Sequence, residues 1–273
     1  MNRLSIERRA QILGLLAEGN SLRATSRLAD VSINTVTKLL VDIGQASAEY
    51  QDKTLQNLPC RRIQCDEIWA FCYAKQKNVP ADKQGKFGYG DIWTWTAICA
   101  DTKLVPSWMV GTRDAGSASA FMHDLASRLA NRVQLTTDGH RVYLEAVESA
   151  FGADIDYAML VKVYGANPDG DTRYSPAECI DCQTKVITGK PNLNHISTSF
   201  VERQNLTMRM SMRRFTRLTN AFSKKVESHE HAIALHYMYY NFCRIHKSLR
   251  VTPAMEAGVA GHVWSIEEVV DIL

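Results

Sequence analysis

The chain is poor in features that would place it outside an aqueous, reducing compartment. No run of about 18 or more uncharged apolar residues occurs, so no membrane span is expected. The N-terminal stretch Met1-Asn2-Arg3-Leu4-Ser5-Ile6-Glu7-Arg8-Arg9 lacks the apolar core of a secretory signal. Seven cysteines are an odd number, and none precedes Cys60. Scattered through apolar segments, as Cys65 and Cys99 are, they suit reduced, buried thiols rather than a disulfide framework. The pair Cys179 and Cys182 is followed by His195, but no second pair completes the four ligands of a zinc site. Internal repeats and low-complexity tracts are missing as well. The expected product is an intracellular globule, and 273 residues at 45% hydrophobic suffice for one large core, or for a small domain and a larger one.

Net charge is nearly absent too, at +3, so composition leaves a nucleic-acid partner open and the distribution of charge must decide. That distribution is uneven. Between Arg203 and Lys225 there is no acidic residue, but there are seven basic ones: Arg203, Arg209, Arg213, Arg214, Arg217, Lys224 and Lys225. A solvated basic face would look the same, as would a surface for phosphates.

The first fifty residues read as three short helices with Ser5, Ser21 and Ser32 as N-caps, interrupted at Gly19-Asn20 and Asp30-Val31. Residues 1–48 form one expected unit. Residues 49–59 continue as a helical tail and a polar linker that ends in Pro59. A larger domain, 60–273, follows.

Its texture changes to strands at Arg62 to Tyr73, Asp91 to Ala100 and Leu104 to Gly111. A helix is expected from Ser117 to Leu129, with Ala118, Phe121, Met122, Leu125 and Leu129 on one stripe. The apolar strand Val133 to Thr137, a helix Arg141 to Phe151 and a strand Tyr157 to Tyr164 come next. This order predicts an α/β fold, a mixed sheet flanked by helices, behind a small all-α domain. Residues 165–197 read as an irregular insertion too long for an ordinary connection, and helices resume near Ser199. The tryptophans Trp69, Trp93, Trp95 and Trp108 are expected in the core.

Two acids occupy rigid mounts. Asp66 lies within a strand otherwise made of Ile63, Cys65, Ile68 and Trp69, where an unpaired carboxylate is costly, and Asp138 closes the apolar run before Gly139 and His140. Each alone could be a solvated residue or a turn cap. Glu202 lies near the start of a helix in which residues seven apart share a face, and this aligns it with Arg209 and Arg213. An acid for a metal followed by arginines for phosphates suits phosphodiester chemistry. There, two ions about 3.5–4 Å apart activate the attacking oxygen and stabilise the leaving one, and hard cations want carboxylate oxygens. No covalent protein nucleophile is needed. His140 and His246 could position a phosphate or a water, or serve as ordinary hydrogen-bonding residues.

Gln64-Cys65-Asp66-Glu67-Ile68-Trp69, Thr136-Thr137-Asp138-Gly139-His140 and Phe200-Val201-Glu202-Arg203-Gln204-Asn205 resemble the motifs of the DDE transposase and integrase superfamily. The wording is most similar to bacterial insertion-sequence transposases of the IS one type. Arg209, seven places after the glutamate, fits that pattern. So does Tyr240-Asn241-Phe242-Cys243-Arg244-Ile245-His246-Lys247-Ser248-Leu249 with Thr252-Pro253-Ala254, which is similar to the segment closing many integrase-type cores. The likeness covers nearly the whole chain.

The resemblance implies a ribonuclease H-like catalytic domain with Asp66, Asp138 and Glu202 as catalytic acids and ligands of two Mg²⁺ or Mn²⁺ ions. It implies DNA cleavage at element ends and strand transfer by the freed 3′ hydroxyl, in a homo-oligomer associated with the bacterial nucleoid in the cytoplasm. It further implies an N-terminal helix-turn-helix for double-stranded DNA. In that motif the helix from Ile33 to Ile43 would enter the major groove, led by Ser32, Asn34, Thr35 and Lys38, while Arg209 and Arg213 contact DNA near the acids. Two departures stand out. The cysteine-rich finger that precedes the helix-turn-helix in some relatives is absent, and 63 residues separate Asp138 from Glu202, which calls for an insertion that loops out at 165–197. A DNA-binding regulator with an inactive core and a general nuclease of the same fold remain the alternatives.

Overall fold

The computed structural model describes residues 4–165, 179–216 and 220–273. The N-terminal helices are α1 (Ile6–Ala17), α2 (Leu22–Leu28) and α3 (Ile33–Thr54). Each opens on a serine, Ser5, Ser21 or Ser32, whose hydroxyl accepts a hydrogen bond from the backbone N–H three residues on. These bonds satisfy amides that the first helical turn leaves without partners. Asp30, at a positive φ of 47°, turns the chain between α2 and α3.

Helix α3 does not stop at the end of this small bundle. It continues to Thr54 through much of the segment 49–59, and its second half lies along a C-terminal helix introduced below as α7. Gln51 is buried in that seam and donates from its amide to the carbonyl of Ala234.

The chain after α3 carries β1 (Arg62–Cys72), β2 (Gly90–Cys99), β3 (Ser107–Gly111), α4 (Ala115–Arg128), β4 (Gln134–Thr137), α5 (Val142–Phe151), β5 (Asp156–Tyr164) and β6 (Cys179–Thr188). After these come α6 (Ser199–Ser211), α7 (Val226–Met238), α8 (Pro253–Glu256) and α9 (Ile266–Asp271). The sheet order is β3-β2-β1-β4-β5-β6. Strands β1, β4 and β5 are parallel, and β2 runs antiparallel between β1 and β3. A meander of three strands followed by two parallel crossovers through helices is the ribonuclease H-like topology, with β6 added antiparallel along the β5 edge.

Alternation along β1 sorts its side chains between two cores. Ile63 and Cys65 join the cluster that includes Phe121 and Leu125 of α4 and Tyr143 and Val147 of α5, as well as the N-terminal helices. Ile68, Ala70 and Cys72 face the cluster of Val201 and Met208 of α6 and Ile233 and Tyr237 of α7. The period of two thus puts Asp66 on the α6 side and Glu67 on the α5 side.

Two expectations need correction. Residues 165–197 are not irregular throughout, because Cys179–Thr188 is a strand paired with β5; residues 166–178 lie outside the described residues. The strand was hidden because eight of its ten side chains are exposed on both faces, so no alternation marks it. Helix α6 ends at Ser211, and Met212 is extended (φ −129°, ψ 103°), so Arg213 sits in a separate 3₁₀ turn and off the face shared by Glu202 and Arg209. Arg217 lies outside the described residues. Of the tryptophans, Trp95 is fully buried, whereas Trp69, Trp93 and Trp108 are half-buried.

The α3–α7 seam depends on a glycine. A Cβ at Gly44 would stand 2.4 Å from Cβ of His231 and 2.8 Å from its carbonyl oxygen, with backbone among the atoms that would have to move. Gly44→Ala is expected to destabilise the protein by about 3 kcal/mol through overpacking. Gly14→Ala, in α1 with nothing within 4 Å of the added carbon, should stabilise it by about 0.5–1 kcal/mol. Urea unfolding of the two variants beside the parent chain checks both signs.

Candidate active site

Pairing between β1 and β4 ends at Cys65 and Thr137. Beyond that rung β4 stops and β1 continues, leaving a slot at the carboxyl ends of parallel strands, where the chain crosses from one half of the sheet to the other. Such a point is where α/β sheets place ligands. Asp66 and Glu67 enter the slot from β1, and Asp138 enters it as the first residue after β4. Although Asp66 and Glu67 leave β1 on opposite faces, carboxylate oxygens of Asp66, Glu67 and Asp138 all lie within 4.8 Å of one another. Gly139 allows the turn to pass close to β5, since a Cβ there would meet Cγ2 of Val161 at 3.0 Å.

Each acid is fixed by neighbours. Asp66 accepts from the backbone N–H of Glu67 at 2.8 Å and from Nδ2 of Asn205 at 2.8 Å. The buried carboxylate of Glu67 accepts from Nε of Arg113 at 2.7 Å and from the Tyr143 hydroxyl at 3.0 Å. The guanidinium of Arg113 lies 4.5 Å over the ring of Trp93. Asp138 accepts from the backbone N–H of His140 at 3.0 Å, so it also caps its own turn. His140 lies beside the rings of Trp95 and Tyr143.

Glu202 is carried to the same region by α6 but is not a member of the three-carboxylate group. The start of α6 is pinned to β1: Oε1 of Gln64, two residues before Asp66, accepts from the backbone N–H groups of Phe200 at 2.8 Å and Val201 at 3.2 Å. The N-cap residue Thr198 makes no such bond to the helix amides, so a side chain from the sheet serves in its place. Thr198 Oγ1 donates instead to Oε1 of Glu202 at 2.5 Å. Nζ of Lys162, on β5, donates to both Glu202 oxygens at 2.5 and 2.6 Å.

Crowded carboxylates leave an electrostatic mark. Burial first, then the negative charges of Glu67 and Asp138, and to a lesser degree that of Glu202, push the Asp66 carboxyl up to about 7. Glu67 is raised as well by burial and by Asp138, with Arg113 and Tyr143 opposing. An all-oxygen set of clustered carboxylates, whose mutual repulsion raises their affinity for positive charge, fits a hard divalent cation such as Mg²⁺ or Mn²⁺. Asp66, Glu67 and Asp138 would hold it directly.

The sequence motifs point to Asp66, Asp138 and Glu202 as the acids. The structure brings the first two together and adds Glu67, sets Glu202 beside them on Lys162, and shows Gln64, Asn205 and Arg113 as the residues that orient them. Gln64, Glu67 and Asn205 lie inside the quoted motifs, but adjacency in a motif does not say which side chains meet. The second signature, Tyr240 to Leu249, serves packing: buried Asn241 accepts from the backbone N–H of Val105 at 3.1 Å and donates to its carbonyl at 3.0 Å, bracing the approach to β3. His246 contacts Ser248 at 3.0 Å.

On the N-terminal bundle, Ser32, Asn34 and Lys38 are exposed, and Thr35 is half-buried. The Ser32 hydroxyl is occupied as the cap of α3 and also lies 3.1 Å from Oγ1 of Thr35, and Lys38 pairs with Asp42 at 2.5 Å. Between this bundle and the α6–α7 connection runs an open groove whose walls include Arg23, Arg213, Arg214, Lys224 and Lys225. Arg209 is exposed on α6. Among the described residues no helix is long and apolar enough to cross a membrane.

Residues 181–243 match the family model of the IS1 transposase, a span holding Glu202, the basic run and the start of the second signature but less than a quarter of the chain. A crystal structure of the Mos1 strand transfer complex aligns over 86% of this chain and 78% of that one, at 13% identity and a TM-score of 0.26. The fold assignment rests on strand order and direction, to which a superposition at that score adds nothing. No curated protein sequence matches the chain.

Proposed function

We propose that the protein is a transposase of an insertion sequence, which cuts DNA at the element ends in a metal-dependent reaction and joins the freed 3′ hydroxyl to target DNA. One observation carries this reading. A cluster of carboxylates, Glu67 buried and Asp66 and Asp138 half-buried, sits in the slot of a ribonuclease H-like sheet, and the helix bringing Glu202 to it lies in the segment that matches the IS1 transposase family.

In this reading Asp66, Asp138 and Glu202 are the catalytic acids, with Glu67 as a further ligand, and two divalent ions complete the site. When bound, the ions supply charge at the attacking and leaving oxygens of the phosphodiester. The chain's own part is to place that charge: Gln64 and Asn205 fix α6 and Asp66 against each other, and Arg113 with Tyr143 fixes Glu67. The basic groove, with Arg213 on its wall, and the exposed Arg209 of α6 are suited to the DNA backbone. Residues 1–48 serve as the end-recognition domain, with Ser32, Asn34, Thr35 and Lys38 toward the major groove, and residues 60–273 as the catalytic domain. Bringing two element ends together calls for a homo-oligomer working on DNA in the bacterial cytoplasm.

The test uses a donor plasmid carrying the gene with its flanking DNA, incubated with purified protein and Mg²⁺ or Mn²⁺ beside Glu202→Gln. Metal-dependent breaks at the element boundary, absent from the variant, are expected. Specific end binding without breaks would instead indicate a regulator, and scattered cuts lost in the variant a general nuclease.

Recognition can be tested separately from chemistry. Lys38→Ala is expected to weaken binding to the element end about tenfold and to reduce the salt dependence of binding by about one phosphate contact. Stability should hardly change, because the Lys38–Asp42 pair is exposed and contributes little. Binding isotherms at several salt concentrations check this, and unchanged end affinity would remove Lys38 from the interface.

A further inference from the structure

Given the metal-binding role proposed for the carboxylates, Glu202 presents a conflict. Its two oxygens are the atoms that would face a cation, yet Nζ of Lys162 holds both at 2.5 and 2.6 Å, and Thr198 donates to one of them at 2.5 Å. An ammonium and a divalent ion cannot share the same two oxygens without strong like-charge repulsion. The other three acids lie within 4.8 Å of one another; Glu67 is paired to Arg113 through one oxygen only, and among the described residues Asp66 and Asp138 accept from neutral amide groups, so that group keeps carboxylate oxygens open to a cation while both oxygens of Glu202 are held by an ammonium.

Lys162 can leave. Its side chain is about one quarter exposed and that of Glu202 is 40% exposed, so water reaches the pair and the attraction between them is moderate. Lysine carries a compact charge on a flexible stem and can exchange one anion for another. Lys162 also stands beyond the end of β4, since the β4–β5 pairing ends at Thr137 and Met159, on the same open edge as the slot. A phosphodiester entering that slot is the new anion that the reaction itself brings.

We propose that Lys162 is a positioning residue that withholds Glu202 from the metal site until a DNA phosphate draws the lysine away. The DNA-free protein then has a one-ion site made by Asp66, Glu67 and Asp138. Glu202 becomes a ligand, and the second ion loads, only with DNA present. Metal loading is thereby coupled to substrate, which keeps the complete cutting site from forming on the free protein.

The test counts bound Mn²⁺ by electron paramagnetic resonance of the full chain, with and without a short DNA duplex. The parent is expected to bind one ion alone and two with the duplex. Lys162→Met should take up the second ion without DNA, with affinity raised about tenfold or more, and Lys162→Arg should behave as the parent. Glu202→Gln should keep the first ion and lose the second under all conditions, a result that does not depend on Lys162→Met folding. Two ions on the DNA-free parent, loss of the first ion in Glu202→Gln, or unchanged stoichiometry in a folded Lys162→Met would overturn the proposal. If no variant and not even the parent binds Mn²⁺, or if Asp138→Asn binds it as the parent does, the carboxylate site itself is refuted, which is a different result from a failure of Lys162 alone.

Discussion

Asp138→Asn should lose metal-dependent strand cutting by roughly a thousandfold or more, since a ligand that places charge at the reacting oxygens contributes several kcal/mol to the barrier. Asp138 is the one acid of the cluster that does not come from β1, so it spans the slot from the β4 side. Replacing one carboxylate oxygen by an amide removes the negative charge but keeps the size and the remaining oxygen, which can still accept from the backbone N–H of His140. The turn should therefore survive, and the melting temperature should stay within a few degrees of the parent. DNA affinity should also be nearly unchanged, because the basic groove and the N-terminal bundle are separate from β4. The measurement is a pair: cleavage of the donor plasmid and equilibrium binding to the end fragment. A variant that loses both to the same extent would indicate that Asp138 supports structure and not chemistry.

The central sheet was legible because its strands carry patterns that burial enforces. Strands β1, β2, β4 and β5 fall within a residue of the expected bounds, whether by alternation between two cores or by a short apolar run. Strand β6 was not legible, since a strand exposed on both faces has no period to read. At the site, Asp66 and Asp138 could be found because a carboxylate interrupting or ending an apolar strand conflicts with burial and calls for a reason. Glu67 offered no such signal. Alternation places it on the opposite face from Asp66, and only the point at which β4 stops lets both reach Asp138. Lys162 was equally silent: its partner is forty residues away, and no spacing rule joins a strand on the far side of the insertion to the first turn of α6. The helical line from Glu202 to Arg213 failed for a different reason. Nothing in the composition of Ser211-Met212-Arg213 announces that the helix ends there, so the periodicity was carried one turn too far.

The cluster also makes a contribution to the stability of the metal-free protein that falls as pH rises, the reverse of what an ordinary salt-bridged carboxylate does. Asp66 titrates at about 7 in the folded chain against an ordinary value of 3.8. Below about pH 4 the residue is protonated in both states and contributes nothing to the difference. Between about 4 and 7 the folded protein keeps a proton that the unfolded chain has released, so stability declines by about 1.4 kcal/mol per pH unit, to a total of about 4 kcal/mol by pH 8. Glu67, raised in the same direction, adds to the slope. His229 and His236, which burial holds down to about 3 and 4, give the whole chain a trend of the opposite sign, so the cluster is read against a variant: between pH 5 and pH 8 the stability of Asp66→Asn in chelator, from urea midpoints, should rise relative to the parent by about 2–3 kcal/mol. A divalent ion should act in the opposite sense with pH, because its ligands must be deprotonated to bind. Mn²⁺ at 100 times its dissociation constant should recover about 2.7 kcal/mol at pH 8 and almost nothing at pH 5. A difference between Asp66→Asn and the parent that does not change with pH, or equal stabilisation by Mn²⁺ at both pH values, would mean that the slot does not concentrate charge as the geometry requires. The expected result would tie the cost of assembling these acids to their use: the repulsion that destabilises the empty site is the attraction that fills it.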